Sequence, residues 1–297
     1  MKHVSVLPNI LTLANAGCGL LAISKAIDAL ASGDPARFAS LLEMSCWLIL
    51  IATVLDGLDG RIARMTDSFS DFGAQLDSFA DAITFGVAPA MVAKVLLERH
   101  ALVHPRVHFL AAAAFALMAV LRLARFNLES DHDEESHRGF RGLPSPAAAG
   151  TIVAMILMFL SLGGGIEVAG GEATPVGKGV QYLPGWLREG LANSLLPALL
   201  LALPAIGLLM VSRIPYRHMA TYFGGQRTRF QVLVKVVFIA GGLYLAPVPI
   251  LLATGLFYIA TGLITHLRKG SVQVRNGQAV DRKSTRLNSS HLVISYA

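Results

Sequence analysis

The sequence predicts an all-α fold, a polytopic bundle of transmembrane helices, from three observations. Apolar residues dominate, charges are scarce, and the apolar residues fall into runs long enough to cross a bilayer. Of 297 residues, 54% are hydrophobic and 15% are charged, whereas a soluble domain carries roughly 25% charged residues. A membrane span needs about 20 mostly apolar residues. Eight candidates stand out: Ile10–Ala31, Leu41–Asp59, Phe72–Leu97, Val107–Leu128, Ser145–Leu162, Leu191–Ser212, Val232–Leu245 and Pro249–Leu267.

The first run continues into a span with no A-x-A-like cleavage site, so no cleavable signal peptide is expected. Its Gly17 and Gly19 predict close helix contacts, as does the run Ala111–Ala114 in the fourth. A short polar connection joins the second run to the third. After the fifth, the Gly-rich stretch Gly163–Gly190, with Glu167, Glu172, Lys178 and Arg188, predicts an extramembrane loop. The seventh run is short, and the break at Ala246-Pro247-Val248-Pro249 predicts a tight hairpin into the eighth. Residues 1–270 thus form one membrane-embedded domain and 271–280 a polar tail. The remainder, 281–297, is set aside: DRKSTRLNSSH at Asp281–His291 reads as the in-frame translation of a common sequencing adapter.

A net charge of +6 would suit a nucleic-acid partner, but the arginines lie between apolar runs, where membrane orientation accounts for them. Arg61 and Arg64, then Arg125, Arg138 and Arg141, then Arg213, Arg217, Arg227 and Arg229, then Arg268 and Lys269 occupy one set of connections. The alternate set holds only Arg37, then Arg99 and Arg106, then Lys178 and Arg188. The richer side is expected in the cytoplasm together with both termini, as an even number of spans requires. Cys18 and Cys46 fall inside spans and read as small buried residues rather than a disulfide or metal pair. His100 and His104 have an i, i+4 spacing that suits zinc on a helix, but no acidic partner follows. They read as a loop pair on the far side. His132 and His137 fall in the solvated segment Glu129–Arg138, and Lys25 and Glu43 lie close enough to span ends to reach the interface.

The chemistry concentrates at the junction of the second and third runs. Asp56 and Asp59 are three residues apart, Asp77 and Asp81 four apart, so each pair shares a helical face. A short connection can gather all four carboxylates near the cytoplasmic surface. Acids at membrane depth are costly and functional by default. Divalent cations relieve their repulsion, and hard ions such as Mg²⁺ or Mn²⁺ favour oxygen ligands. Two such ions can clamp a pyrophosphate. Gly60 and Gly73 leave room for a nucleotide, and Arg64 offers a forked donor to phosphate.

The segment Asp56-Gly-Leu-Asp59-Gly60-Arg-Ile-Ala63-Arg64, then eight residues, then Gly73-Ala-Gln-Leu-Asp77-Ser-Phe-Ala-Asp81 resembles the signature D-x2-D-G-x2-A-R-x8-G-x3-D-x3-D of the CDP-alcohol phosphatidyltransferase family, at every position. The resemblance implies a six-helix catalytic core with two further C-terminal spans, a dinuclear Mg²⁺ or Mn²⁺ site, and release of CMP. By position, Asp56, Asp59 and Asp77 would be metal ligands. Asp81 would complete the metal site and act as general base, and Gly60, Ala63, Arg64 and Gly73 would line the CDP pocket with Asp56. The flanks LPNILTLAN at Leu7–Asn15, DSFADAITFGVAPA at Asp77–Ala90, RLARFN at Arg122–Asn127 and FRGLPSPAAAG at Phe140–Gly150 resemble the phosphatidylserine synthase branch. That branch implies CDP-diacylglycerol and L-serine as substrates, membrane lipids as surroundings and the cell (inner) membrane as location.

Arg122, Arg125 and Arg141 are the cytoplasmic-side candidates for the serine carboxylate or the lipid phosphate. Glycerol 3-phosphate or inositol as acceptor, a homodimer, and a divalent-cation transporter with the aspartates as its ion path stay open on the sequence. The position of the aspartates at span ends, beside Gly60, Arg61 and Arg64, argues against transport.

Overall fold

The computed structural model describes residues 6–65, 71–130, 142–163, 180, 183–214, 216, 242 and 245–266, and every regular element among them is helical. The helices are α1 (Val6–Ala31), α2 (Pro35–Met65), α3 (Asp71–Asp81), α4 (Ala88–Arg99), α5 (Pro105–Ser130), α6 (Ser145–Ser161) and α7 (Gly185–Val211), then α8 (Pro247–His266). A π-helical segment, Ala82–Val87, carries α3 directly into α4. Among the described residues, six spans are long and apolar enough to cross a membrane: α1, α2, the continuous α3–α4 rod, α5, α7 and α8.

Local chemistry explains the element boundaries. Asp34 accepts from the backbone N–H groups of Ala36 (3.1 Å) and Arg37 (3.3 Å), and Pro35 opens the helix, so α1 and α2 are joined by a tight capped turn. α2 runs on to Met65, past the Asp59 boundary read from hydropathy. Asp56, Asp59 and Gly60 are therefore held on rigid helix rather than in a fraying end. α7 starts at Gly185, directly after Pro184, and takes the end of the expected 163–190 loop into its first turn. The expected span Val232–Leu245 lies outside the described residues but for Gly242 and Leu245, and so do 271–280 and 281–297.

α6 has 17 residues and is apolar around its whole circumference, and its burial shows that other helices enclose it. Ile152, Val153, Ile156, Leu157 and Phe159 are all buried, and α2, α4 and α7 pack around it. Around this centre the outer helices turn large apolar side chains outward: Leu20, Leu110, Leu201 and Phe257 are each more than half exposed. An exposed apolar surface on that scale belongs against acyl chains, and the protein is a multi-pass membrane protein.

Small residues set the closest approaches. A Cβ on Gly19 would come within 2.5 Å of Thr84 Oγ1, and one on Gly207 within 2.9 Å of Met118 Sδ. Gly17, also expected at a contact, faces open space. Thr84 belongs to the π segment, and its hydroxyl donates to the Asn15 carbonyl of α1 at 3.1 Å. Gly142 adopts a positive φ of 90°, and its N–H donates to the Ile214 carbonyl at 2.9 Å while Leu143 donates to Leu209 at 3.1 Å. This strap fixes the start of α6 beside the end of α7. Gly19→Val should push α1 off the π segment and lower thermal stability in detergent by about 1–3 kcal/mol. An unchanged melting temperature would mean the contact bears no strain.

Candidate active site

The second and third spans meet at an acidic centre. α2 presents Asp56 and Asp59 on adjacent turns, and α3 presents Asp77 and Asp81. One carboxylate oxygen from each of Asp56, Asp59 and Asp77 lies within 4.8 Å of the others. Asp81 stands outside that trio, one turn beyond Asp77 on α3. Asp59 and Asp81 are buried, while Asp56 and Asp77 are half-buried.

α1 supplies polar support that the sequence reading did not assign. The Thr12 hydroxyl shares its proton between the Pro8 carbonyl and Asp59 Oδ2, each 3.0 Å away. Asn15 Nδ2 donates to Asp81 Oδ1 at 3.4 Å. Both side chains are buried, Asn15 completely. Their three-residue spacing in an otherwise apolar run was the available signal, since it places two hydrogen-bonding groups on one face of a membrane helix.

The donor set fits divalent cations. Asp77 Oδ1 is buried with no hydrogen-bond partner, an arrangement that costs free energy unless something binds there. Three carboxylate oxygens within ligand-sharing distance form the all-oxygen environment that Mg²⁺ or Mn²⁺ favours. Gly60 is exposed, and a Cβ there would meet nothing within 4 Å, so the helix surface beside Asp59 is open to a ligand. Gly73 is half-buried on α3. The side chains of Ala63 and Arg64 lie outside the described residues.

The three candidate arginines separate. Arg122 is 9% exposed and donates through Nη1 to Ser145 Oγ at 2.6 Å, with Asp81 and Tyr258 in electrostatic reach. Its Nε is buried without a partner. Arg125 donates to the Val211 carbonyl at 3.4 Å and so ties α5 to the C-terminal end of α7. Arg141 lies outside the described residues. Asn127 Nδ2 donates to Ser78 Oγ at 3.0 Å, which links α5 to α3 between Asp77 and Asp81. Ser145 and Tyr258, neighbours of Arg122, had no signal in the local sequence: they come from other helices.

His100 and His104 stay apart from this centre, while His132 and His137 lie outside the described residues. His100 and His104 fall in the turn between α4 and α5, so their spacing never forms a helical face. His100 packs edge-on against Phe159 at 5.0 Å, and burial together with the Arg99 charge holds it below the ordinary histidine range. Lys25 pairs with Asp28 at 3.0 Å, and Glu43 accepts from Trp47 Nε1 at 3.3 Å. Cys46 is buried in the core, as expected.

Residues 5–180 match the profile of the family described as CDP-alcohol phosphatidyltransferase. The chain is 40% identical over 115 residues to a CDP-diacylglycerol–serine O-phosphatidyltransferase of Helicobacter pylori, covering 39% of this chain and 46% of that protein. It is 34% identical over 171 residues to the protein of the same description in Mycobacterium tuberculosis, covering 57% and 54%. An archaetidylserine synthase of Methanothermobacter thermautotrophicus matches at 35% over 153 residues, covering 51% and 58%. The chain thus spans about half the length of the curated relatives it matches.

The orphaned Asp77 oxygen makes metal binding testable without any substrate. Titrating Mn²⁺ into purified protein and following free Mn²⁺ by electron paramagnetic resonance should reveal saturable binding. Asp77→Asn should weaken it by roughly tenfold or more. Equal binding by the two proteins would remove Asp77 from the ligand set.

Proposed function

The chain belongs to the CDP-alcohol phosphatidyltransferase family, and we propose on that footing that it transfers the phosphatidyl group of CDP-diacylglycerol to L-serine, giving phosphatidylserine and CMP. The observation that carries the acceptor is a pair of orphaned groups of opposite sense near Asp81. Arg122 Nε is a buried donor without a partner, and Asn15 Oδ1 is a buried acceptor without one. An amino acid brings a carboxylate and an ammonium, which complement this pair. Glycerol 3-phosphate and inositol bring no ammonium. The names of the relatives from Helicobacter pylori, Mycobacterium tuberculosis and Methanothermobacter thermautotrophicus point to the same acceptor.

The acidic centre and its surroundings divide the chemistry. Asp56, Asp59 and Asp77, completed by Asp81, would hold two Mg²⁺ or Mn²⁺ ions. When bound, these supply charge neutralisation for the pyrophosphate and the departing CMP. Gly60, Ala63, Arg64 and Gly73, with Asp56, line the nucleotide's place. Asp81 takes the proton of the serine hydroxyl as the serine oxygen bonds to the lipid-side phosphorus and the bond from that phosphorus to the CMP oxygen breaks. Asn15 Nδ2 holds the Asp81 carboxylate in place for that transfer. Arg122, set by its bond to Ser145, binds the serine carboxylate through a charge-assisted contact. Arg125 and Arg141 serve the same cytoplasmic layer, toward the lipid phosphate. The excess of arginine in the connections on this side supports a cytoplasmic face for the site, in a bundle read as lying in the cell membrane.

Purified protein with CDP-diacylglycerol, Mn²⁺ and one acceptor at a time tests the assignment. Serine should release CMP fastest; faster release with glycerol 3-phosphate or inositol would sink the acceptor and leave the transferase class. In the same assay Arg122→Ala should raise KM for serine tenfold to hundredfold, since a charge-assisted bond contributes roughly 1.5–3 kcal/mol. KM for the CDP-lipid should change less.

Asp81→Asn separates base from ligand. Turnover should fall to background while binding of CDP-diacylglycerol, read by calorimetry, survives at least in part. Wild-type turnover by this variant would assign the proton to another group.

A further inference from the structure

The π segment Ala82–Val87 begins at the residue after Asp81. A π turn closes an i→i+5 ladder, one residue more than an α turn, so the helix faces on its two sides are offset by about 100°. α3 can thus turn Asp77 and Asp81 toward the acidic centre, while α4 continues the same rod buried among α1, α2, α5 and α6. Two glycines hold the segment between its neighbours. A Cβ on Gly19 of α1 would come within 2.5 Å of Thr84 Oγ1 and 3.0 Å of Thr84 Cα, and one on Gly86 within 3.2 Å of Ala119 Cβ on α5.

Thr84 uses its hydroxyl differently from other helical hydroxyls in the bundle. Ser45, Thr53 and Thr151 each donate to the carbonyl four residues earlier, at 2.9, 3.0 and 2.8 Å, the usual outlet for such a group in a helix. The wider π turn moves that carbonyl out of its α-helical place. Thr84 Oγ1 donates instead to the Asn15 carbonyl of α1, at 3.1 Å and 69 residues away in sequence. Both residues are completely buried, so water cannot stand in for either partner.

This bond gains weight from what the Asn15 side chain does. Asn15 Nδ2 donates to Asp81 Oδ1 at 3.4 Å, longer than the common N–H···O range of about 2.7–3.2 Å. Alone, it restrains the Asp81 carboxylate weakly. The Thr84 bond is the shorter of the two, and it anchors the stretch of α1 backbone from which Asn15 reaches. Thr84 follows Asp81 by three residues on the same rod. Asp81, Asn15 and Thr84 therefore close a small loop of contacts, and the base is held from both ends of it.

We propose that Thr84 is a positioning residue for proton transfer: its hydroxyl fixes Asn15, and Asn15 fixes the Asp81 carboxylate that takes the acceptor's proton. The inference rests on the transferase reading above and adds to it a residue in the π segment that touches neither substrate nor metal.

The test measures CMP release with serine, CDP-diacylglycerol and Mn²⁺ for three proteins. Thr84→Val keeps nearly the same volume and removes the hydroxyl. Its kcat should fall about tenfold, since a small misplacement of a reacting group can cost up to roughly a hundredfold. KM for serine and for the CDP-lipid should stay within about twofold, and Mn²⁺ binding followed by electron paramagnetic resonance should not change. Thr84→Ser restores the hydroxyl without the methyl group and should recover most of the lost kcat. If the valine variant does not fold, Thr84→Ala set against Thr84→Ser makes the same comparison. In an Asn15→Ala background the valine substitution should cost little more, because the two residues act in series. Wild-type kcat in Thr84→Val would overturn the proposal, as would a serine variant no better than the valine one, which would make Thr84 a packing residue. Additive losses with Asn15→Ala, or weakened Mn²⁺ binding, would overturn it too, by sending the effect through another route. Absence of CMP release by the wild type would instead strike the transferase reading, and this inference with it.

Discussion

Much of this structure follows from one constraint, the crowding of carboxylates at the edge of a low-dielectric bundle. Two unit charges 4 Å apart repel by about 4 kcal/mol at an effective dielectric of 20, and Asp56, Asp59 and Asp77 bring oxygens within 4.8 Å of one another. Left on flexible segments, these groups would swing apart into water. They are held because α2 continues as regular helix through Asp59 and Gly60, and because α1 packs along both α2 and α3. Thr12 and Asn15 then give Asp59 and Asp81 defined hydrogen bonds from the one helix that touches both acidic pairs. A cluster crowded in this way could hold a cation, and the Asp77 Oδ1 atom is buried without a hydrogen-bond partner.

The π segment fits the same logic. π-helical turns sit inside α-helices mostly at functional sites, and this one begins at the residue after Asp81. Its wider turn lets Thr84 reach the Asn15 backbone carbonyl while the Asn15 side chain engages Asp81. One α1 residue is thus tied to the acidic rod at two points, and Gly19, a turn further on, admits Thr84 against the α1 backbone. Positioning of Asp81 and packing of the first three spans are a single arrangement.

The bundle is also layered along the membrane normal. Arg122 and Ser145 lie in the acidic layer, and the Gly142 strap and the Arg125 contact with Val211 hold α5, α6 and α7 in register there. Beneath, hydroxyls turn back onto their own helices and the surfaces become apolar. The α8 helix contributes Tyr258 and Gly255 to this lower region, although it lies outside the segment that matches the family profile.

The sequence by itself determined the helical membrane class, the six described spans and the shorter α6 to within about two turns, and the two facing pairs of aspartates. Those features are local: an apolar run of sufficient length must be a satisfied helix in lipid, and i, i+3 and i, i+4 spacings fix a shared face before any tertiary contact forms. Tertiary structure decided what depends on distant segments meeting. Asn15 acquires meaning only against Asp81, 66 residues away, and Arg122 is set apart from Arg125 only by where α6 begins and α7 ends. Gly17 and Gly19 look alike in sequence, yet one faces open space and the other a neighbouring backbone, because two residues of helix rotate a side chain by about 200°.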